Sequence, residues 1–342
     1  MNILVTGGNG FIATNFVKLA LSRGYRVTSI DNLSYAGSIR NHEVFANNAA
    51  YNFVEEDIRN NSIEKVITSS DFDAVLNFAA ESHVDRSIHD DTNFISTNIA
   101  GTHNLLNICK NMKHNSTLKP NFKFIQISTD EVYGSLNSEE DAFTELSILK
   151  PTNPYSASKA SADLLCMSYY KTHNFPVLIT RCTNNYGPYQ HPEKLIPLTI
   201  YRLCNNEKIP IYGSGKQIRD WIYVEDHCEG ILSALEKGKA GNIYNFGGNN
   251  EIQNKTCVEK IITKLKPDST SDDYIEYVKD RPGHDTRYAI NSSKAKKDLS
   301  WEPKINFEQG IDRTLQWYSE NNKWLDDIVS EYDFKNWVKK HY

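Results

Sequence analysis

The stretch Thr6-Gly7-Gly8-Asn9-Gly10-Phe11-Ile12-Ala13 follows an apolar run from Asn2 to Val5 and opens a helical pattern, so the chain begins as strand, glycine turn and helix. Few folds accept that opening. Glycine permits the tight turn at Gly7, and at Gly10 it lets backbone N–H groups approach a pyrophosphate at the positive end of the helix. Ala13 stands where a third glycine is usual, a position that needs only a small residue for helix–strand packing. Asp31 lies 21 residues after Gly10, at the end of the second apolar run. There a carboxylate can accept both hydroxyls of an adenosine ribose and would repel a 2′-phosphate, which predicts NAD rather than NADP.

The same alternation continues with runs at Val27–Ile30, Ala74–Phe78, Phe124–Ile127 and Val177–Ile179, each separated by helical patterns. It predicts an α/β fold, a Rossmann-type doubly wound parallel sheet. The NAD-binding domain is expected over residues 1–183. Residues 184–342, richer in Pro, Gly and Tyr, are expected to form mainly a smaller C-terminal α/β substrate lobe, with some segments returning to the sheet. Asp57-Ile58 and Phe78-Ala79-Ala80, after the third and fourth strands, would line the adenine and nicotinamide sides. Two long helices are expected, Asn93 to Met112 and Tyr155 to Thr172, with apolar faces that suit either the core or a dimer. The polar segment from Ser135 to Pro154 is long for a structureless connection, and reads equally as a flap or a surface excursion. The tail from Phe307 to Tyr342 reads as helical.

With 342 residues, 39% apolar and 24% charged, the chain can bury a large core. A net charge of -5 argues against nucleic acid or an anionic membrane as partner. The six cysteines are scattered without a C-x-x-C, which predicts buried free thiols and no metal site. No run approaches the length of a membrane span and no signal peptide precedes the first strand, so a cytoplasmic protein is expected.

Chemistry concentrates at Ser128-Thr129-Asp130-Glu131-Val132-Tyr133-Gly134 and at Tyr155-Ser156-Ala157-Ser158-Lys159. Tyr155 and Lys159, four apart on a helix, share one face, and a lysine ammonium beside a phenol is expected to lower its pKa. Tyr155 can then act as a base. Two adjacent carboxyls share a proton, so one can donate while the other accepts, which is what elimination of water requires. Neighbouring residues of a strand point to opposite faces, so Asp130 and Glu131 can cooperate only if the strand ends near Thr129.

These residues resemble the extended short-chain dehydrogenase/reductase family, and within it the nucleotide-diphosphate-hexose 4,6-dehydratases. The resemblance spans nearly the whole chain. It rests on the N-terminal glycine motif, Ala79-Ala80-Glu81-Ser82-His83-Val84-Asp85-Arg86-Ser87, Ser128 to Gly134, Tyr155 to Lys159, and Arg181-Cys182-Thr183-Asn184-Asn185-Tyr186-Gly187-Pro188. Arg219-Asp220-Trp221 and Asp280-Arg281-Pro282-Gly283-His284 complete it. It implies an NAD-dependent lyase in which Thr129, Asp130, Glu131, Tyr155 and Lys159 are catalytic. Tyr155 would deprotonate the C4 hydroxyl, Thr129 would steady that oxygen, Glu131 would take the C5 proton and Asp130 would protonate the leaving C6 hydroxyl.

Around the cofactor the resemblance adds Phe11, Ile12, Asn32, Ser34, Thr97 and Asn185 to Gly7, Gly10, Asp31 and the residues after the third and fourth strands. Around the substrate it implies Ser82, Thr129, Asn184, Lys194, Leu195, Pro210, Ile211, Tyr212, Asn254 and His284. Arg219 and Arg281 are the candidate diphosphate ligands, because a guanidinium pairs phosphate oxygens bidentately. The implied substrate is dTDP-glucose or UDP-glucose. UDP-N-acetylglucosamine, with or without inversion at C5, stays open, as do a nucleotide-sugar 4-epimerase and an NAD-binding regulator without turnover. Thr183, Ser214 and Thr286 depart from the usual residues and leave the base open. The family pattern implies a homodimer built through a four-helix bundle.

Overall fold

Isoleucine and valine at positions 3 and 5 send their side chains to one face of the first strand and Leu4 to the other, and all three are fully buried. Helices cover both faces. The computed structural model describes residues 1–331 and residue 334. Among these, strands β1 (Asn2–Thr6), β2 (Arg26–Asp31), β3 (Tyr51–Glu55), β4 (Ala74–Asn77), β5 (Lys123–Thr129) and β6 (Val177–Cys182) lie in one parallel sheet. Beyond them the chain adds β7 (Asn184–Tyr186), β8 (Ile209–Tyr212), β9 (Ile218–Tyr223), β10 (Ile243–Phe246), β11 (Glu251–Gln253) and β12 (Ile275–Val278). Strand β10 returns to close the edge of the main sheet beside β6, which gives the order β10-β6-β5-β4-β1-β2-β3. The strand order reverses between β1 and β4, and ligands of such folds sit at the carboxyl ends of the strands flanking that point.

The helix Phe11–Ser22 packs Phe16, Val17 and Ala20 with Ile3 and Val5 and with Ile231 and Leu235 of the helix Val224–Lys237. On the opposite face Leu4, Ile30, Val75 and Phe124 meet Leu105, Leu106 and Cys166. A third core, around Ile200, Ile209, Trp221, Ile261 and Ile311, belongs to the later half. There β11-β9-β7 and β12-β8 form two small sheets. Residues 224–246 and Trp301 therefore serve the first core although they follow residue 184. Of the helical tail, Phe307–Glu320 and Asn322–Ser330 are helices, and apart from Phe334 the rest lies outside the described residues.

Both long helices form, with one difference. The first runs as Thr92–Phe94, a π-helical stretch Ile95–Gly101, and Thr102–His114. A 3.6-residue apolar pattern carries no sign of such widening, which recurs at functional sites. The second spans Pro154–His173; Asn153 and Ser156 form a capping box at its start, Pro154 fixes its first turn, and Asn174 ends it in a left-handed conformation. The segment before it is zipped by backbone hydrogen bonds from Leu136 to Arg287 and from Phe143 to Ala289. Five of the six cysteines are buried, and Cys204 is exposed, contrary to the expectation for all six. Among the described residues no helix is long and apolar enough to cross a membrane.

Candidate active site

Strand β5 ends at Thr129, and a 3-10 turn, Asp130–Tyr133, begins at once. The Thr129 hydroxyl caps that turn by accepting from the Glu131 N–H at 3.3 Å. The turn brings Asp130 and Glu131 to the wall of one cleft, which two neighbours along a strand could not share. One oxygen of each, Asp130 Oδ2 and Glu131 Oε2, is buried without a hydrogen-bond partner. Buried polar atoms are normally paired, so each has hydrogen-bonding capacity left for a ligand or water in the cleft.

Their environments split the pair. Burial, then the charges of Glu131 and Asp220, push Asp130 well above the usual carboxylate range. Burial also raises Glu131, but Arg281, Arg219 and Lys194 pull it back. Two carboxyls pushed apart in this way suit an acid and a base.

Tyr155 lines the same cleft, but its pKa does not fall as the sequence suggests. Burial, followed by the charge of Glu131, pushes it well above 10, and contact with the Thr129 hydroxyl lowers it only in part. Lys159, on the same helix face, donates from Nζ to Ile127 O at 2.7 Å, and burial lowers its own pKa.

Every residue assigned above to the cofactor lies on this cleft: Gly7, Gly10, Phe11, Ile12, Asp31, Asn32 and Ser34 on one side. Asp57, Ile58, Phe78, Ala79, Ala80, Thr97, Lys159 and Asn185 complete it. Thr97 comes from the π-helical stretch, whose Asn98 is buried and exchanges hydrogen bonds with both backbone groups of Glu81. The residues fit a dinucleotide. Gly7 has φ 66°, and a Cβ there would lie 2.7 Å from the backbone of Ala79, so only glycine leaves the turn this shape. Gly10 heads the Phe11–Ser22 helix with no side chain over its first N–H groups. Asp31 is buried and accepts from Asn9 N at 3.0 Å and Leu33 N at 2.8 Å, which fixes both carboxylate oxygens.

A second cavity holds Leu195, Pro210, Ile211, Tyr212, Arg219, Asn254, Arg281 and His284. Ser82, Glu131, Asn184 and Lys194 border both cavities, so the two adjoin at Glu131. Thr129 lines the cofactor side. Arg281 is fixed by Asp85 at 2.9 Å, and the other Asp85 oxygen accepts from Tyr212 at 3.1 Å. Arg219 donates to Asp285 O at 3.0 Å and lies over the Tyr288 ring at 4.2 Å.

Sequence reasoning passed over Asp85, Glu193 and Tyr288, which line these walls, and His227, which stands behind Asn185. Asp85 lies inside a motif already singled out; the others carry no local signal. His227 is fully buried, its Nδ1 bonds Asn185 Oδ1 at 2.9 Å, and burial lowers its pKa to about 3. Its Nε2 has no partner, so the neutral Nδ1–H form fits the site. Folding thus requires a neutral imidazole: its stabilising effect is complete above pH ~6.5 and is lost as pH falls toward the folded value, at about 1.4 kcal/mol per unit. In urea titrations between pH 6.5 and 4, His227→Gln is expected to flatten this dependence. An unchanged slope would sink the assignment.

A sequence model of the GDP-mannose 4,6 dehydratase family matches residues 4–314. The chain belongs to that family. It is 48% identical over 335 residues to the dTDP-glucose 4,6-dehydratase of Xanthomonas campestris pv. campestris strain B100, covering 95% of each protein. The dTDP-glucose 4,6-dehydratase of Bacillus anthracis, solved in complex with NAD, superposes with a TM-score of 0.86 at 47% identity, covering 96% of this chain and 99% of that one. The Streptomyces venezuelae dTDP-glucose 4,6-dehydratase DesIV, also solved with NAD, gives a TM-score of 0.89 at 39% identity, covering 96% of this chain and 100% of that one.

Proposed function

We propose that this nucleotide-diphosphate-hexose 4,6-dehydratase acts on dTDP-glucose, with NAD as resident cofactor, and releases the 4-keto-6-deoxy sugar. The observation that carries the reading is the carboxyl pair at the end of β5, buried and split in acidity, with both acids on the cofactor cleft and Glu131 also on the second cavity. An epimerase has no use for a second acid–base pair, and a regulator has none for either. When bound, NAD supplies the hydride acceptor for C4 and the donor for C6, and its cationic ring favours the Tyr155 phenolate.

The chain's own groups move the protons. Tyr155 takes the C4 hydroxyl proton while Thr129 holds that oxygen, and the carbonyl so formed acidifies C5–H. Glu131 removes the C5 proton, and C5 takes a proton back once C6 has been reduced. Asp130, whose protonated form its burial and acidic neighbours favour, gives a proton to the C6 hydroxyl, which departs as water. Lys159 fixes the cofactor side of the cleft. Arg219 and Arg281 meet the diphosphate charge, with Lys194 beside them.

Incubation with dTDP-glucose, UDP-glucose and UDP-N-acetylglucosamine in turn, without added reductant, tests this by mass loss of one water and the alkaline absorbance of a 4-keto sugar. Turnover is expected with dTDP-glucose. No water loss from any of them overturns the reading, and preference for a UDP sugar overturns the substrate assignment.

Two copies pair, in this reading, along the helices Thr92–His114 and Pro154–His173. Supporting it, Ile95 is 51% and Leu164 62% exposed, apolar side chains on the outer faces of those helices. Leu164→Glu is expected to give monomers in sedimentation velocity; a persisting dimer places the interface elsewhere.

A further inference from the structure

The loop after β2 alternates in direction. Asn32, Ser34, Ala36 and Gly37 face the cofactor cleft, whereas Tyr35 turns away from it, toward the wall between the two cavities. There the Arg86 guanidinium lies 3.8 Å from the centre of its ring, and His191 meets it edge-on at 5.8 Å. Arg86 Nε is 3.3 Å from Glu193 Oε2, and the Glu193 side chain is 1% exposed. Tyr35 is half-buried as a residue, yet its hydroxyl is closed to solvent, beside Glu193. By contrast, the backbone hydrogen bonds of positions 33, 34 and 37 are made within the loop or to Asp31, and Leu33 sits at φ 52°. Nothing in them ties the loop to the far wall.

We propose that Tyr35 is a latch: seated on Arg86 and Glu193, its ring fastens loop 33–37 over the cofactor cleft and sets the rate at which NAD leaves. The inference rests on the NAD reading above. It has a chemical rationale, since a cofactor reoxidised in every cycle has no need to dissociate, and a cleft that stays shut keeps it. An arginine–aromatic contact is strong where water is excluded, as it is beside a buried carboxylate. The wall that holds Tyr35 also carries Lys194, whose Nζ donates to Ser82 O at 3.0 Å, so substrate-side residues back the latch.

The test loads wild type and Tyr35→Ala with NAD and follows its release into a scavenging enzyme, with dTDP affinity measured in parallel. Release at least tenfold faster in the variant, with dTDP affinity within twofold, supports the latch. Release within twofold of wild type overturns it, and so does an equal loss of dTDP affinity, which marks general loosening. Should Tyr35→Ala not fold, the wild type decides. Amides of Leu33, Ser34 and Gly37 are expected to exchange with deuterium at the rate of NAD release, and NAD leaving while they stay protected overturns the proposal. A wild type that binds no NAD at all refutes the cofactor reading instead.

Discussion

Replacing Glu131 by glutamine is expected to slow formation of the 4-keto-6-deoxy product about a thousandfold, within the range a positioned general base contributes. Glutamine keeps the shape and volume of the side chain. What it loses is the capacity to accept the C5 proton, a capacity the surroundings sustain: burial raises Glu131, while Arg281, Arg219 and Lys194 favour its charged form. Binding should change little, so KM is expected to stay within a few-fold. In deuterium oxide, label should enter C5 of the sugar with wild type and not with the variant. Product formation within tenfold of wild type, or undiminished label at C5, assigns the base to another group.

Arg181→Met is expected to destabilise the fold by about 3–5 kcal/mol, because it strands a carboxylate in the interior. Arg181 Nε bonds Asp163 Oδ2 at 2.8 Å, with the two side chains only 3% and 1% exposed. Its guanidinium also lies 4.7 Å from the ring centre of Tyr133, the last residue of the turn that carries Asp130 and Glu131. The second Asp163 oxygen has no partner, so the ion pair carries the full burden of that buried charge. Asp163 follows Lys159 by one helical turn, and its charge opposes the fall that burial imposes on the lysine pKa. In urea unfolding, the single variant should show the full loss and Arg181→Met with Asp163→Leu should recover most of it. A single-variant loss below about 1 kcal/mol would show that water or another cation reaches Asp163.

The features legible in the sequence are those whose partners lie close along the chain. The strand, glycine turn and helix at Thr6–Ala13, the carboxylate at Asp31 and the helix that carries Tyr155 are local patterns, and each forms at its expected place. The Thr129-Asp130-Glu131 group is legible as chemistry, but the turn that lets both acids face one cleft depends on β5 ending at Thr129, which the sequence pattern does not mark. Three features escape a reading of local patterns. Arg281 with Asp85, His227 with Asn185 and Tyr35 with Arg86 join distant segments, and a single sequence does not pair them. The π-helical widening at Ile95–Gly101 leaves no trace in a pattern read at 3.6 residues per turn. The fall expected for the Tyr155 pKa fails because helical spacing shows Lys159 one turn away, but neither the burial of the phenol nor the charge of Glu131 that raise it.

The return of β10 to the main sheet also bears on synthesis. Until Ile243–Phe246 has left the ribosome, β6 is an edge, with its backbone donors and acceptors open to other chains. The nascent protein must therefore carry an incomplete cofactor half while much of the later lobe is still being made, a stage at which chaperones have an evident target.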